Sequence, residues 1–286
     1  MQNSFGKTSR LLLKTIGTEG GTLLEELSFT APYKIMAPFE KSNGGISVMP
    51  LCASAGIMEG DCQELDFQVG EGSNLEVLSQ SFDKIHRMRE GQATRMIRAE
   101  VKKNSVFYYY PQPVIPFRDS AFESRMDIHL EDETARLFLA DIISCGRVAS
   151  GERFQYRKFA SRVEVRRGGK LIYRDHTCFE PGRMPMEEMG MYEGYTHVAN
   201  LFCTGGIPDM EQKIWDILEQ HSEIEGGVSR LAGKDLAVRM FGMRAQKLQT
   251  VSDQIKQEYE AALQGPVPAS GVWKKFFCTA LPLCHQ

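Results

Sequence analysis

In the run Glu64, Leu65, Asp66, Phe67, Gln68, Val69, every second residue is apolar, and the run closes on Gly70 and Gly72. Successive side chains of an extended chain point to opposite faces, so Leu65, Phe67 and Val69 share one face of a half-buried strand. Met126, Ile128 and Leu130 alternate with Asp127 and His129 in the same way. Val163 and Val165 flank Glu164 ahead of Arg167, Gly168, Gly169 and Lys170, a turn that predicts a hairpin into Leu171–Tyr173. From Leu11 to about Thr204 such segments recur between Gly, Pro, Asn and Asp. A chain patterned this way folds as sheets with one face buried.

Beyond Gly206 the period changes. Pro208 opens a stripe of Met210, Ile214, Ile217 and Leu218, which predicts an amphipathic helix near 208–221. Val228 and the run Leu236–Phe241 read as strand. A second stripe, Leu248, Val251, Ile255, Tyr259 and Leu263, predicts a helix over 245–263 ended by Gly265 and Pro266. The expected class is mainly β (α+β) with a few helices, two of them in the C-terminal region. It forms one domain over 1–265, followed by a tail, 266–286, of no clear pattern. No fixed-period repeat is visible.

The chain has 286 residues, enough to bury a sizeable core. A net charge of -3 leaves no cationic field for phosphate backbones, so no nucleic-acid partner is expected. Leu11–Leu13 is too short for a signal-peptide core, and nowhere do about 18 apolar residues run together. No membrane segment and a cytoplasmic setting are expected. Seven widely spaced cysteines, an odd number, are expected to be mostly reduced and buried.

The motifs of common chemistries are missing. Gly6, Lys7 and Thr8 lack the earlier Gly of a phosphate loop, and Gly70 and Gly72 lack the third Gly and the helix of a dinucleotide fold. The six histidines include no pair at zinc-ligand spacing, and no Gly-x-Ser-x-Gly elbow occurs. His176, Cys178 and His197 could still meet through folding, and a metal-dependent hydrolase could assemble its site from His176, His197 and nearby carboxylates; the commoner fate of a strand histidine is to be hydrogen-bonded or merely exposed. Cys284 and His285 could take a metal opportunistically. Asp61, Asp83, Asp141 and Asp175 stand beside apolar strand-like segments, where pairing or hydration must compensate for burial. Surface charge or a structural ion pair is the commoner role for each.

Two stretches stand out. In Phe107–Phe117, aromatics precede Pro111, Pro113 and Pro116, which predicts an extended edge or corner. In Met184–Tyr192 four methionines offer either an adaptable partner surface, with Met186, Met189, Met191 and Tyr192 as contacts, or soft core filling.

Ser79–His86, Pro113–Phe117 and Asp141–Arg147, together with Lys34–Phe39, Gly56–Asp61 and Gly194–His197, resemble the urease accessory protein family UreD, also called UreH. The resemblance runs from about Leu11 to Leu263. It implies a β-rich UreD-type scaffold and a chaperone without catalytic residues, which joins UreF and, through it, the GTPase UreG to load nickel into apo-urease. It implies no tightly bound cofactor and a nickel ion in transit through an internal polar channel. Asp61 matches a channel position of the family, Asp141 and Asp175 fall where acidic channel residues occur, and Asp83 is a weaker match. Glu59 stands where many members have Gly, which adds a carboxylate near the channel entry. A conduit needs weak, dispersed oxygen sites rather than a closed cage. A purely structural adaptor, with the aspartates in interface ion pairs, is the remaining alternative.

Overall fold

A computed structural model describes residues 8–264. The tail 266–286, including Cys284 and His285, the Gly6–Lys7 pair and the helix-ending Gly265 and Pro266 lie outside the described residues. The elements follow one another as β1 (Thr8–Thr18), β2 (Gly21–Phe29), β3 (Tyr33–Ile35), β4 (Phe39–Glu40), β5 (Ile46–Val48), β6 (Pro50–Cys52), β7 (Cys62–Val69), β8 (Asn74–Leu78), β9 (Asp83–Ile85), β10 (Ala93–Val101), β11 (Val106–Tyr110), β12 (Val114–Pro116), β13 (Ala121–Leu130), β14 (Arg136–Ser144), β15 (Lys158–Arg167), β16 (Lys170–Phe179), β17 (His197–Cys203), α1 (Met210–Glu219), β18 (Ile224–Arg230), β19 (Leu236–Gly242) and α2 (Ala245–Gln264). The strand-dominated class, the two C-terminal helices and the β15–β16 hairpin agree with the alternation and stripes of the sequence.

Two large sheets face each other. One is seven-stranded, in the order β16-β15-β13-β10-β7-β1-β2; the other is ten-stranded along β18-β19-β17-β14-β11-β8-β5-β4, with β12 and β9 attached beside β14. From β7 to β15 the chain alternates between them, so parallel neighbours in one sheet are joined through a strand of the other. The backbone therefore coils although the sequence shows no repeat. Stacked positions of successive turns often carry unlike side chains: Gln63 pairs with Arg95, and Arg95 with Ser124. Only the strand-forming pattern has to recur for the coil to close, because ladder hydrogen bonds are made by the backbone.

Three apolar clusters result. One fills most of the space between the sheets, around Leu13, Phe67, Phe107, Leu137 and Phe202. A second seats both helices on the outer face of the ten-stranded sheet, with Leu248, Val251, Ile255 and Tyr259 facing Phe138, Leu201 and Met240. The third, around Ile85, Phe122, Phe159 and Tyr192, closes one end. Phe107–Tyr110 overturn the expectation of an edge. They form β11, a buried strand between β8 and β14. Pro111 and Pro113 mark the jog from β11 to β12, and Pro116 ends the short β12, where a missing N–H costs the ladder little.

Candidate functional site

The inward face of the seven-stranded sheet is mostly apolar, and one polar line crosses it. Ser9, Gln63, Arg95, Ser124, Ser161 and Thr177 are register neighbours across six adjacent strands, a polar row through an otherwise apolar interior. The line interrupts the apolar alternation of each strand, as in Ala93, Arg95, Ile97. Opposite this row lies a second one on the ten-stranded sheet: Asp141 on β14 pairs with Asn200 on β17, which pairs with Arg239 on β19.

Between the two rows is a cavity of about 50 Å³ lined by Arg95, Ser124, Asp141, Ser161, Asp175 and Asn200 among apolar neighbours. One water needs roughly 10–15 Å³ by the same measure, so the space holds a few. Asp141 contributes a buried carboxylate oxygen, Oδ1, with no hydrogen-bond partner in the protein. Burial and the nearby Asp175 carboxylate push its acid up to about 6, against smaller opposing pulls from Asn200 and Arg239. Asp175 faces it from the other sheet; its Oδ1 accepts from Arg239 Nη2 at 2.8 Å and its Oδ2 from the Thr177 hydroxyl at 3.1 Å. Arg239 Nε donates to Asn200 Oδ1 at 2.8 Å.

The acidic residues named from the sequence separate into two groups. Asp141 and Asp175 meet at the cavity. Asp83 stands beside it, bound by Arg95 Nη1 at 2.7 Å, while Arg95 Nε donates to Gln63 Oε1 at 2.8 Å. Asp61 and Glu59 do not line the cavity. Asp61 Oδ2 accepts the Met58 N–H at 2.8 Å and closes a turn. The Glu59 carboxylate accepts the N–H groups of Arg89 and Gly91, both at 2.7 Å, and these amide bonds hold its acid below the usual range.

Of the four expected contact residues, Met186 and Tyr192 are buried. Tyr192 packs against Phe154, Phe179 and Phe241, so this part of the methionine segment is core filling, the blander of the two expectations. Met189 is 89% exposed, and Met191 is half-buried against the third cluster. The segment walls a pocket of about 270 Å³ outside the cavity, and Asp175 and Asn200 line both spaces.

The hydrolase arrangement is not assembled. Among the described residues no group of three His, Cys, Asp or Glu side chains could hold a metal ion. His197 sits against Thr196, whose hydroxyl is 2.8 Å from Nδ1, and burial pushes its imidazole down to about 4. His176 is exposed. Of the five described cysteines, all free, Cys145 and Cys203 are buried, Cys62 and Cys178 half-buried and Cys52 exposed. Among the described residues no helix is long and apolar enough to cross a membrane.

Several of the segments quoted for the resemblance pair with one another. Asp83 and Ile85 pair with Val114 and Pro116, and Val114 with Ile143. Ile57 N–H donates to Lys84 O at 2.8 Å, and Cys145 N–H to Thr196 O at 2.7 Å. The polar rows themselves were missed, because no local motif announces residues that meet only through register. The family described as UreD urease accessory protein matches residues 7–274. The chain is 34% identical over 254 residues to the urease accessory protein UreD of Acetivibrio thermocellus, covering 88% of this chain and 97% of that one. It is 32% identical over 254 residues to the urease accessory protein UreH of Helicobacter pylori strain P12, covering 88% and 95%. With the UreD of Flavobacterium johnsoniae it shares 30% over 245 residues, covering 84% and 88%.

Proposed function

From the premise that this chain belongs to the UreD urease accessory protein family, which ties it to urease maturation, we propose that it is a non-catalytic chaperone for nickel insertion into apo-urease. It works in a complex with UreF and, through UreF, the GTPase UreG, and it passes the ion between the two sheets. Nickel is its cargo rather than a resident cofactor. The observation that carries this reading is the Asp141 carboxylate, with an unpartnered oxygen in a cavity large enough for water. A buried carboxylate without a full set of partners is costly, and a transiting cation and its hydration water would supply them. Oxygen ligands in small number suit a divalent ion that must also leave.

Asp141→Ala and Asp175→Ala, expressed with UreF, UreG and urease, leave the complex intact by size exclusion and lower the nickel content and activity of the urease recovered. Loss of the complex in both variants would favour the structural adaptor instead. That second reading has its own support in the Asp175–Arg239 and Asp83–Arg95 ion pairs, which tie one sheet to the other.

A further inference from the structure

Among the described residues, three arginine–aspartate pairs span the two layers, and they differ in how firmly they are held. Arg167 Nη2 lies 2.8 Å from Asp235 Oδ1, with side chains only 7% and 0% exposed. Arg95 and Asp83, 2.7 Å apart, are 11% and 23% exposed, and Gln63 gives Arg95 a second anchor. Arg239 and Asp175 are also 2.8 Å apart, but the Arg239 side chain is 53% exposed. A guanidinium already half in water sits in a screened ion pair and gives up little by swinging out, whereas Arg167 and Arg95 are enclosed.

Arg239 also occupies a particular place. The two side chains it holds, Asp175 and Asn200, line both the inter-sheet cavity and the pocket outside it. Its guanidinium therefore takes up the oxygens that a cation crossing from one space to the other would meet. Its positive charge opposes a second cation.

We infer that Arg239 is the gating residue of the cavity: it closes the mouth by holding Asp175 and Asn200, and a divalent cation replaces it on those oxygens. The inference rests on the proposed passage of nickel. With Arg239 displaced, Asp175, Asn200 and the free oxygen of Asp141 form an all-oxygen set facing the ion. The sheets stay joined meanwhile by Arg167–Asp235 and Arg95–Asp83, so opening needs a side-chain swing and no separation of the layers.

The test is calorimetric titration of the full-length chain with Ni²⁺ alone. Arg239→Gln, which keeps an amide but removes the charge, binds nickel roughly ten-fold tighter than the unaltered protein. The double variant Arg239→Gln with Asp175→Asn loses that gain, and Arg239→Lys falls between. A folded Arg239→Gln chain with unchanged or weaker nickel affinity overturns the gate. Should Arg239→Gln fail to fold, Arg239→Lys with the affinity of the unaltered protein overturns it equally. The two readings fail separately. Unchanged affinity beside a lasting Asp141→Ala defect in urease activation rejects the gate alone, whereas tighter binding beside normal activation in Asp141→Ala removes the passage that the gate would serve and overturns its role.

Discussion

At the scale of single residues, Asp141 pits position against stability. Its acid is pushed up to about 6 chiefly by burial, so the folded chain holds the proton more tightly than the unfolded chain, whose aspartate has the ordinary value of 3.8. The folded state therefore loses stability as pH rises from near 4 through about 6, and the loss is complete above that window. Asp141→Asn removes the titration. The variant is expected to be more stable than the unaltered chain by about 1–3 kcal/mol near pH 7.5, a rise in melting temperature of roughly 3–8 °C, with the gap closing toward pH 4. Thermal melts across that range check it; a gap that does not vary with pH would mean that the asparagine acts by packing alone. The sequence marked Asp141 and Asp175 as acids in strand-like segments, and the family resemblance ranked them. Their meeting across two sheets could not be read, since β14 and β16 belong to different layers whose facing depends on the whole coil. Glu59 was a weaker candidate from the sequence, and its carboxylate is bound by the backbone of residues 89–91.

At the scale of elements, the stripes that predicted α1 and α2 were legible because a helix repeats its apolar positions within one turn or two. What each helix rests on was not. α2 is anchored to the ten-stranded sheet by packing and by polar contacts the stripe does not reveal. The Tyr259 hydroxyl is 2.6 Å from Thr204 Oγ1 and donates to Leu137 O at 3.3 Å, with the ring fully buried between Tyr108 and Phe138. Lys256 bonds Glu76 from the same helix, and Lys41 joins them at 3.3 Å from Glu76 and 2.8 Å from Glu260. Tyr259→Phe keeps the ring and leaves the Thr204 hydroxyl a partner short, at an expected cost of about 1–2 kcal/mol in urea unfolding. A variant as stable as the unaltered chain would show that this contact is redundant with the apolar seat of the helix. Gly56 shows the tight side of the same economy in loops. With φ at 147° and Lys84 O only 2.3 Å from where a Cβ would stand, the position accepts no other residue without shifting the Gly56–Asp61 turn.

At the scale of the whole molecule, alternation fixed the class, and register fixed the rest. The sequence offered many strands but no order for them, because parallel partners such as Gln63 and Arg95 stand 32 residues apart with a strand of the other sheet between them. Interleaving couples the two layers, since neither can lose its central strands without unravelling the other. Urea unfolding followed by far-UV circular dichroism and by hydrogen exchange of the β10 and β11 amides is expected to give coincident transitions. Two separate midpoints would show that the sheets are independent units.

The same winding bears on how the chain is made. A ribosome delivers residues in order, yet β1 finds its inner neighbour β7 only after the intervening strands have emerged, and β7 in turn waits for β10. Each newly made turn leaves a raw ladder of backbone groups open until the next one arrives. A nascent chain of this shape spends its synthesis with one growing edge exposed to neighbouring polypeptides, so slow translation or early termination should send it toward aggregates, until the hairpin return of β16 ends the winding of that sheet.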